Sequence, residues 1–312
     1  MNILVTGGSG FIGSHVVDVL LEQGHRVKIY DVDTPKYGQA CDFIKADLLD
    51  LVRLVKETEK TEAIFHIAAE ANVNRFHDSP YFSNLITSGS TLNVLEAART
   101  NKVGRVLFGS TEWVYGSDTS NPDVIITEQT PMTDDPDHIY TSSKIAAELF
   151  CKNYHRMYGV NFTIMRFGIP FGERARPETV TPIFIRKILF GEEITIHGDG
   201  SQTRQFIYVK DLARGIAACL QPQGENEIFN INGVERISVI DIIRHLERIL
   251  GRTAKITFVD QRSGQFKGRL ISSEKAGRLL GWKPQLSYGQ ALERYARAYA
   301  AELEKSAKSA RP

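Results

Sequence analysis

Tyr140-Thr141-Ser142-Ser143-Lys144 places a phenol and an ammonium four residues apart, on one face of a helix. A cation beside a phenol favours the phenolate. Such a tyrosine can take a proton from a hydroxyl while hydride leaves the same carbon. The pair alone is common by chance, and an exposed helix with a snorkelling lysine is the alternative. It becomes meaningful only if the chain also holds a hydride acceptor.

Thr6-Gly7-Gly8-Ser9-Gly10-Phe11-Ile12-Gly13 supplies the signal for one. Its glycines allow a tight turn, close approach of a pyrophosphate and close packing of helix on strand. The helix that follows offers free N–H groups and a positive dipole end to phosphate. Asp31 closes the next strand-like run, 18 residues past Gly13, placed for the adenosine ribose hydroxyls. No arginine follows Asp31 immediately, which favours NAD over NADP. Asp47 and Leu48 come after the third strand and could contact the adenine, or Asp47 could cap the next helix. His66-Ile67-Ala68-Ala69 ends the fourth strand with small residues, suited either to a passing cofactor or to close helix packing.

The elements that must position these groups alternate. Short apolar runs at Ile3 to Val5, Arg26 to Tyr30, Phe43-Ile44, Ala63 to Ile67, Val106 to Phe108 and Phe162 to Met165 read as strands. Helical stretches fall near 48–59, 80–101 and 140–158. That order predicts an α/β fold, a Rossmann-type doubly wound parallel sheet covered on both faces. After about residue 170 the texture turns to helices near 180–190, 209–220, 238–250 and 287–304 with short strands between. The expected division is 1–170 as an NAD-binding domain carrying Tyr140 and Lys144, and 171–312 as a smaller mixed substrate lobe with some segments returning to the first.

Composition limits the partners. The chain has 312 residues and a net charge of +1, which argues against a polyanion surface and so against nucleic acid. Cys41, Cys151 and Cys219 are odd in number and widely spaced, fitting neither a disulfide framework nor a zinc site. With no membrane-length apolar run and no signal-peptide pattern, a soluble cytoplasmic protein binding no metal is expected.

Together these motifs resemble the extended short-chain dehydrogenase/reductase family, in its branch of NAD-dependent nucleotide-sugar epimerases and dehydratases. Further matching pieces are Ser110-Thr111 before Val114-Tyr115-Gly116, Arg166-Phe167, and Gly198 to Arg204 followed by Phe206 to Leu212. The resemblance implies that Thr111 hydrogen-bonds the reacting hydroxyl and that Tyr140 is the general base and acid. Lys144 then lowers the tyrosine's pKa and holds the nicotinamide ribose. Gly7, Gly10, Phe11, Ile12, Gly13, Asp31, Asp47, Leu48, Ile67, Ala68, Ala69, Phe167, Tyr140 and Lys144 would line the cofactor. Arg204 and Arg262 match basic positions that grip a nucleotide diphosphate, a task suited to a planar fork of donors.

Residues next to Thr111 separate reactions within the family. The 4,6-dehydratases resemble Thr-Asp-Glu here, and the sugar-acid decarboxylases carry Glu just before Val-Tyr-Gly. This chain reads Thr111-Glu112-Trp113, so Glu112 stands at the first acid and an indole at the second. An indole cannot act as a base, which favours epimerisation over elimination. The implied reaction is inversion at C4 of a UDP-sugar through a 4-keto intermediate that turns over in the pocket. Decarboxylase, 4,6-dehydratase and 4-reductase activities on the same scaffold are the alternatives, followed by a non-catalytic NAD-sensing role.

Several positions depart from the family pattern. Ile169 replaces a substrate-contacting asparagine, Gln265 an acid near Arg262, and Thr87 a cofactor-binding asparagine of some members. Arg174-Ala175-Arg176-Pro177 resembles the basic loop of uronate-handling relatives, so UDP-glucuronate stands beside UDP-glucose and UDP-galactose as a candidate. A homodimer formed through helices 80–101 and 140–158 is also implied.

Overall fold

The computed structural model describes residues 1–71, 73–116, 124–260 and 270–309. Its first half runs β1 (Asn2–Thr6), α1 (Phe11–Glu22), β2 (Arg26–Asp31), β3 (Asp42–Lys45), α2 (Leu51–Glu57) and β4 (Ala63–His66). Next come α3 (Val73–Asp78), α4 (Pro80–Asn84), α5 (Ser90–Thr100), β5 (Arg105–Thr111), β6 (Ile125–Ile126), α6 (Ile139–Tyr158) and β7 (Phe162–Phe167). The second half holds β8 (Ile169–Phe171), α7 (Val180–Phe190), β9 (Glu193–His197), β10 (Thr203–Tyr208), α8 (Val209–Ala218) and β11 (Glu227–Ile231). It closes with β12 (Arg236–Ser238), α9 (Val239–Leu250), β13 (Lys255–Val259), β14 (Leu270–Ile271), α10 (Glu274–Leu280) and α11 (Tyr288–Ser309).

Seven parallel strands form the main sheet in the order β11-β7-β5-β4-β1-β2-β3. Alternation along β1 shows why both faces must be covered. Ile3 and Val5 pack with Val16, Val17 and Leu20 of α1 and Leu212 and Ile216 of α8. Leu4 points the other way, into a core with Leu54, Val94, Leu95, Ala147 and Cys151. Each fully buried aliphatic side chain of this kind stabilises the fold by about 1.5–3 kcal/mol. The result is the expected Rossmann-type doubly wound sheet.

A third core belongs to the second half, where α7, α9 and α11 enclose Phe171, Ile185, Ile188, Leu246 and Leu292. Small sheets β12-β10-β8 and β13-β9 flank it. The chain nevertheless returns to the main sheet: β11 pairs in parallel with β7, from Glu227 opposite Thr163 to Ile231 opposite Phe167.

The helical stretch near 80–101 is not one regular helix. α4 passes through a π-helical segment, Leu85–Gly89, into α5. Hydroxyls explain the looser winding: Ser88 donates to the Asn84 carbonyl at 3.1 Å and Thr91 to the Thr87 carbonyl at 2.8 Å. No helix among the described residues is long and apolar enough to cross a membrane.

Candidate active site

Open parallel sheets bind ligands beyond the carboxyl ends of their strands, where the strand order reverses. Here the reversal lies between β1 and β4. The residues that end the strands around it are Thr6, Asp31, His66, Thr111 and Phe167, a row of polar and aromatic groups on one edge. Thr6 and His66 are directly paired, and the Thr6 hydroxyl meets the His66 Nδ1 at 2.8 Å. The other ring nitrogen meets the Thr91 hydroxyl at 3.0 Å. Full burial, with Lys144 nearby, pushes this imidazole down to about 3, so it is neutral.

The glycine loop brings the backbones of β1 and α1 close together. Gly10 N–H donates to the Gly7 carbonyl at 3.1 Å, and a Cβ at Gly13 would lie 2.0 Å from that same oxygen. Only glycine therefore allows α1 to start so close to β1. Gly10 gives α1 no side-chain cap, and its first turn carries no acid, so its N–H groups face outward for an anion. Asp31 is fixed by two backbone donors, Ser9 N–H at 2.9 Å and Asp33 N–H at 3.1 Å. This arrangement fits a dinucleotide, with the phosphates at the start of α1 and a ribose near Asp31.

The remaining cofactor candidates divide. Ile67 and Ala68 both donate their N–H to the Thr6 carbonyl, at 3.2 and 3.1 Å, which lays half-buried Ile67, Ala68 and Ala69 beside the glycine loop. Phe11 is edge-on to His15, and Ile12 packs against the α1 core. Asp47 is exposed and accepts from the Leu49 N–H at 2.9 Å, while the cap of α2 is Asp50. Leu48 directs its side chain into the core with Tyr30 and Leu54. Thr87 is buried and accepts from the Glu70 N–H at 3.2 Å.

At the end of β5, Thr111 accepts from the Trp113 N–H at 3.3 Å, and its side chain stands near enough to the Tyr140 hydroxyl to favour the phenolate. Phe76 and Trp113 stand edge-on to the tyrosine ring, at 5.6 and 6.0 Å between centroids. This apolar wall pushes the phenol up to about 12, against the pull of Thr111. Lys144 is buried one turn further along α6, where its Nζ donates to the Gly109 carbonyl at 2.7 Å and lies 4.7 Å from the Phe108 ring. Burial lowers its ammonium to about 7. Phe167 closes over the same backbone, its ring tip 3.2 Å from where a Gly109 Cβ would be.

Below these groups lies a buried ion pair. Glu148, one further turn along α6, accepts from Arg166 at 2.9 and 2.6 Å and from the Ser110 hydroxyl at 2.6 Å. Arg166 also lies 4.8 Å from the Tyr115 ring, and the Tyr115 hydroxyl donates to Asn230 at 2.7 Å. The network ties α6 to the ends of β5, β7 and β11, and so fixes Tyr140 relative to Thr111.

Glu112 is buried beside Thr111, and its Oε2 has no hydrogen-bond partner among the described residues. Desolvation pushes its carboxyl up to about 8, with Arg204 pulling the other way. Asn232, just past β11, is fully buried and comes from a position that the motifs did not single out. The signal available was its place, a polar residue directly after a buried strand. Arg204 is half-buried and donates to the Thr203 carbonyl at 2.9 Å. Arg174 is paired with Asp18 of α1 at 2.7 Å and stacked 4.2 Å from the Tyr37 ring. Arg262 and Gln265 lie outside the described residues.

A dinucleotide cradle and a threonine–tyrosine–lysine group on one sheet edge define a short-chain dehydrogenase type of site. Comparison with known proteins agrees. Residues 3–232 match the NAD dependent epimerase/dehydratase family. A UDP-glucuronate 4-epimerase of Thermodesulfobacterium geofontis is 32% identical over 311 residues, covering 93% of this chain and 94% of the relative. A UDP-glucose 4-epimerase of Thermotoga maritima, solved with UDP-glucose, superposes with a TM-score of 0.90 at 30% identity, over 97% of this chain and all of that one. The dTDP-glucose 4,6-dehydratase DesIV of Streptomyces venezuelae, solved with NAD bound, gives a TM-score of 0.88 at 31% identity, covering 98% of each chain. The chain belongs to the NAD-dependent epimerase/dehydratase family and is an NAD-dependent enzyme.

Proposed function

We propose that the protein inverts C4 of a nucleotide-diphosphate sugar, UDP-linked, through a 4-keto intermediate. The observation that carries this reading is the placement of Thr111 near the Tyr140 hydroxyl, with Trp113 edge-on to the tyrosine ring. A sugar hydroxyl placed between these two oxygens loses its proton to Tyr140 while Thr111 holds it in line. Bound NAD supplies the acceptor for the C4 hydride and gives the hydride back to the opposite face. Tyr140 then returns the proton. Lys144, aligned on Gly109, adds the positive charge that favours the phenolate. Arg204, and Arg262 by resemblance, neutralise the diphosphate.

Elimination of water or loss of carbon dioxide asks for further acid–base groups at the neighbouring carbon. Glu112 is one carboxyl, and the next side chain is Trp113, an aromatic wall. Arg174, the residue that would favour a uronate, is paired with Asp18.

The test is product analysis by NMR and mass spectrometry with UDP-glucose, UDP-galactose and UDP-glucuronate. Interconversion without mass change is expected. Loss of water or carbon dioxide without isomer overturns the reading.

Exposed apolar residues Tyr81 and Phe82 of α4 and Leu149, Met157 and Tyr158 of α6 support a homodimer. Sedimentation at micromolar concentration checks it, and a monomer there removes it.

A further inference from the structure

Three buried polar atoms beside the proposed sugar site have no hydrogen-bond partner among the described residues: Glu112 Oε2, Asn232 Oδ1 and Asn232 Nδ2. They come from just past β5 and β11, the two strands that flank β7, and converge on one point. A Cβ on Gly168 would lie 2.0 Å from Asn232 Oδ1 and 2.9 Å from Glu112 Oε2. Gly168 follows Phe167, whose ring covers Gly109, the residue that holds Lys144. Glu112 follows Thr111. The cluster is therefore built onto the catalytic group.

Buried polar groups are nearly always paired, and an unpaired set at a binding site marks what the ligand must bring. These atoms ask for a group that both donates and accepts. A hydroxyl does both, giving its proton to one oxygen and accepting from the amide. A carboxylate only accepts, so it leaves Asn232 Oδ1 without a donor. Resting on the proposed C4 epimerisation, we propose that Glu112 and Asn232 form a hydroxyl-reading pair that selects neutral hexoses over uronates and pentoses.

Inversion at C4 strengthens the assignment. A half-turn of the sugar about its C1–C4 axis exchanges the C3 and C5 sides. A neutral hexose then presents a hydroxyl to the pair in both orientations, from C3 in one and from C6 in the other. A uronate presents a carboxylate in one of them, and a pentose presents hydrogen.

The experiment titrates the NAD-loaded protein by calorimetry with UDP, UDP-glucose, UDP-glucuronate, UDP-xylose and UDP-3-deoxyglucose. The last two separate the C6 from the C3 hydroxyl. UDP-glucose should bind about tenfold or more tightly than any analogue that lacks a hydroxyl or carries the carboxylate. N232A should weaken UDP-glucose by about tenfold while leaving UDP within about twofold, and E112A, which removes the other member of the pair, should do the same. UDP binding also shows that each variant is folded. Equal affinity of the wild type for UDP-glucose and UDP-glucuronate overturns the proposal, as does an equal loss of UDP and UDP-glucose in N232A. A wild type that binds the sugars but does not epimerise them overturns the epimerase reading alone.

Discussion

Lys144 aligns its ammonium on Gly109, with Nζ 2.7 Å from that carbonyl oxygen, while the Tyr140 hydroxyl four residues earlier lies near Thr111. The two side chains share a helix face but not a hydrogen bond. In the protein alone, burial raises the phenol to about 12 and lowers the ammonium to about 7. Both shifts oppose the charged pair that the proposed reaction needs. The positive nicotinamide ring of oxidised NAD, when bound beside the phenol, would favour its ionised form.

Tyr140→Phe removes the proton acceptor and keeps the ring against Phe76 and Trp113. Turnover should fall by about 10²–10⁴-fold. Binding of a UDP-sugar, read by calorimetry, should change by no more than a few-fold. A variant that turns over at the wild-type rate would falsify the role.

Gly13→Ala puts a methyl 2.0 Å from the Gly7 carbonyl oxygen, a backbone atom that cannot step aside without moving β1 or α1. Bound NAD, measured by absorbance after denaturing the purified protein, should drop below a tenth of its wild-type content. Retention of full NAD content shows that the loop yields.

Glu148→Ala strands the Arg166 guanidinium, whose partner oxygen lies 2.6 Å away with both side chains almost wholly buried. Breaking such a pair costs about 3–5 kcal/mol. The melting temperature should fall by roughly 10 °C. Pairing the change with Arg166→Met should restore part of it, because the stranded charge is then gone.

Glu112 gives a pH dependence of defined sign. Its folded carboxyl titrates at about 8 against an ordinary 4.5, so the native state keeps a proton that the unfolded chain releases. The group's stabilising effect is full below about 4.5 and is lost as pH rises through 8. Glu112→Gln should therefore gain on the wild type progressively from pH 5 to 8, by roughly 1–3 kcal/mol at the upper end. Parallel melting curves across that window count against a buried, unpaired carboxyl.

The sheet and the dinucleotide cradle are legible in the sequence because their signals are local. Gly13 follows Gly7 by six residues and Asp31 ends the next strand, so spacing alone positions them. Tyr140 and Lys144 are legible for the same reason, one helix face carrying both. Asn232 is not, since it meets Glu112 only because β11 returns to lie beside β7. Arg174 has a partner that its loop does not announce, Asp18 on the first helix. Leu48 directs its side chain into the core, a packing that its place after β3 does not announce.

The position of β11 bears on how the chain is made. Strands β1 to β7 are synthesised by residue 167, and every member of the Thr111–Tyr140–Lys144 group by then has left the ribosome's catalytic centre. Yet β7 gains its outer neighbour only with residues 227–231. At about 5–20 residues per second, several seconds of translation separate the two events. Through that interval the nascent polypeptide carries a long apolar strand edge with nothing against it, which is the moment when pairing with another chain competes with completion.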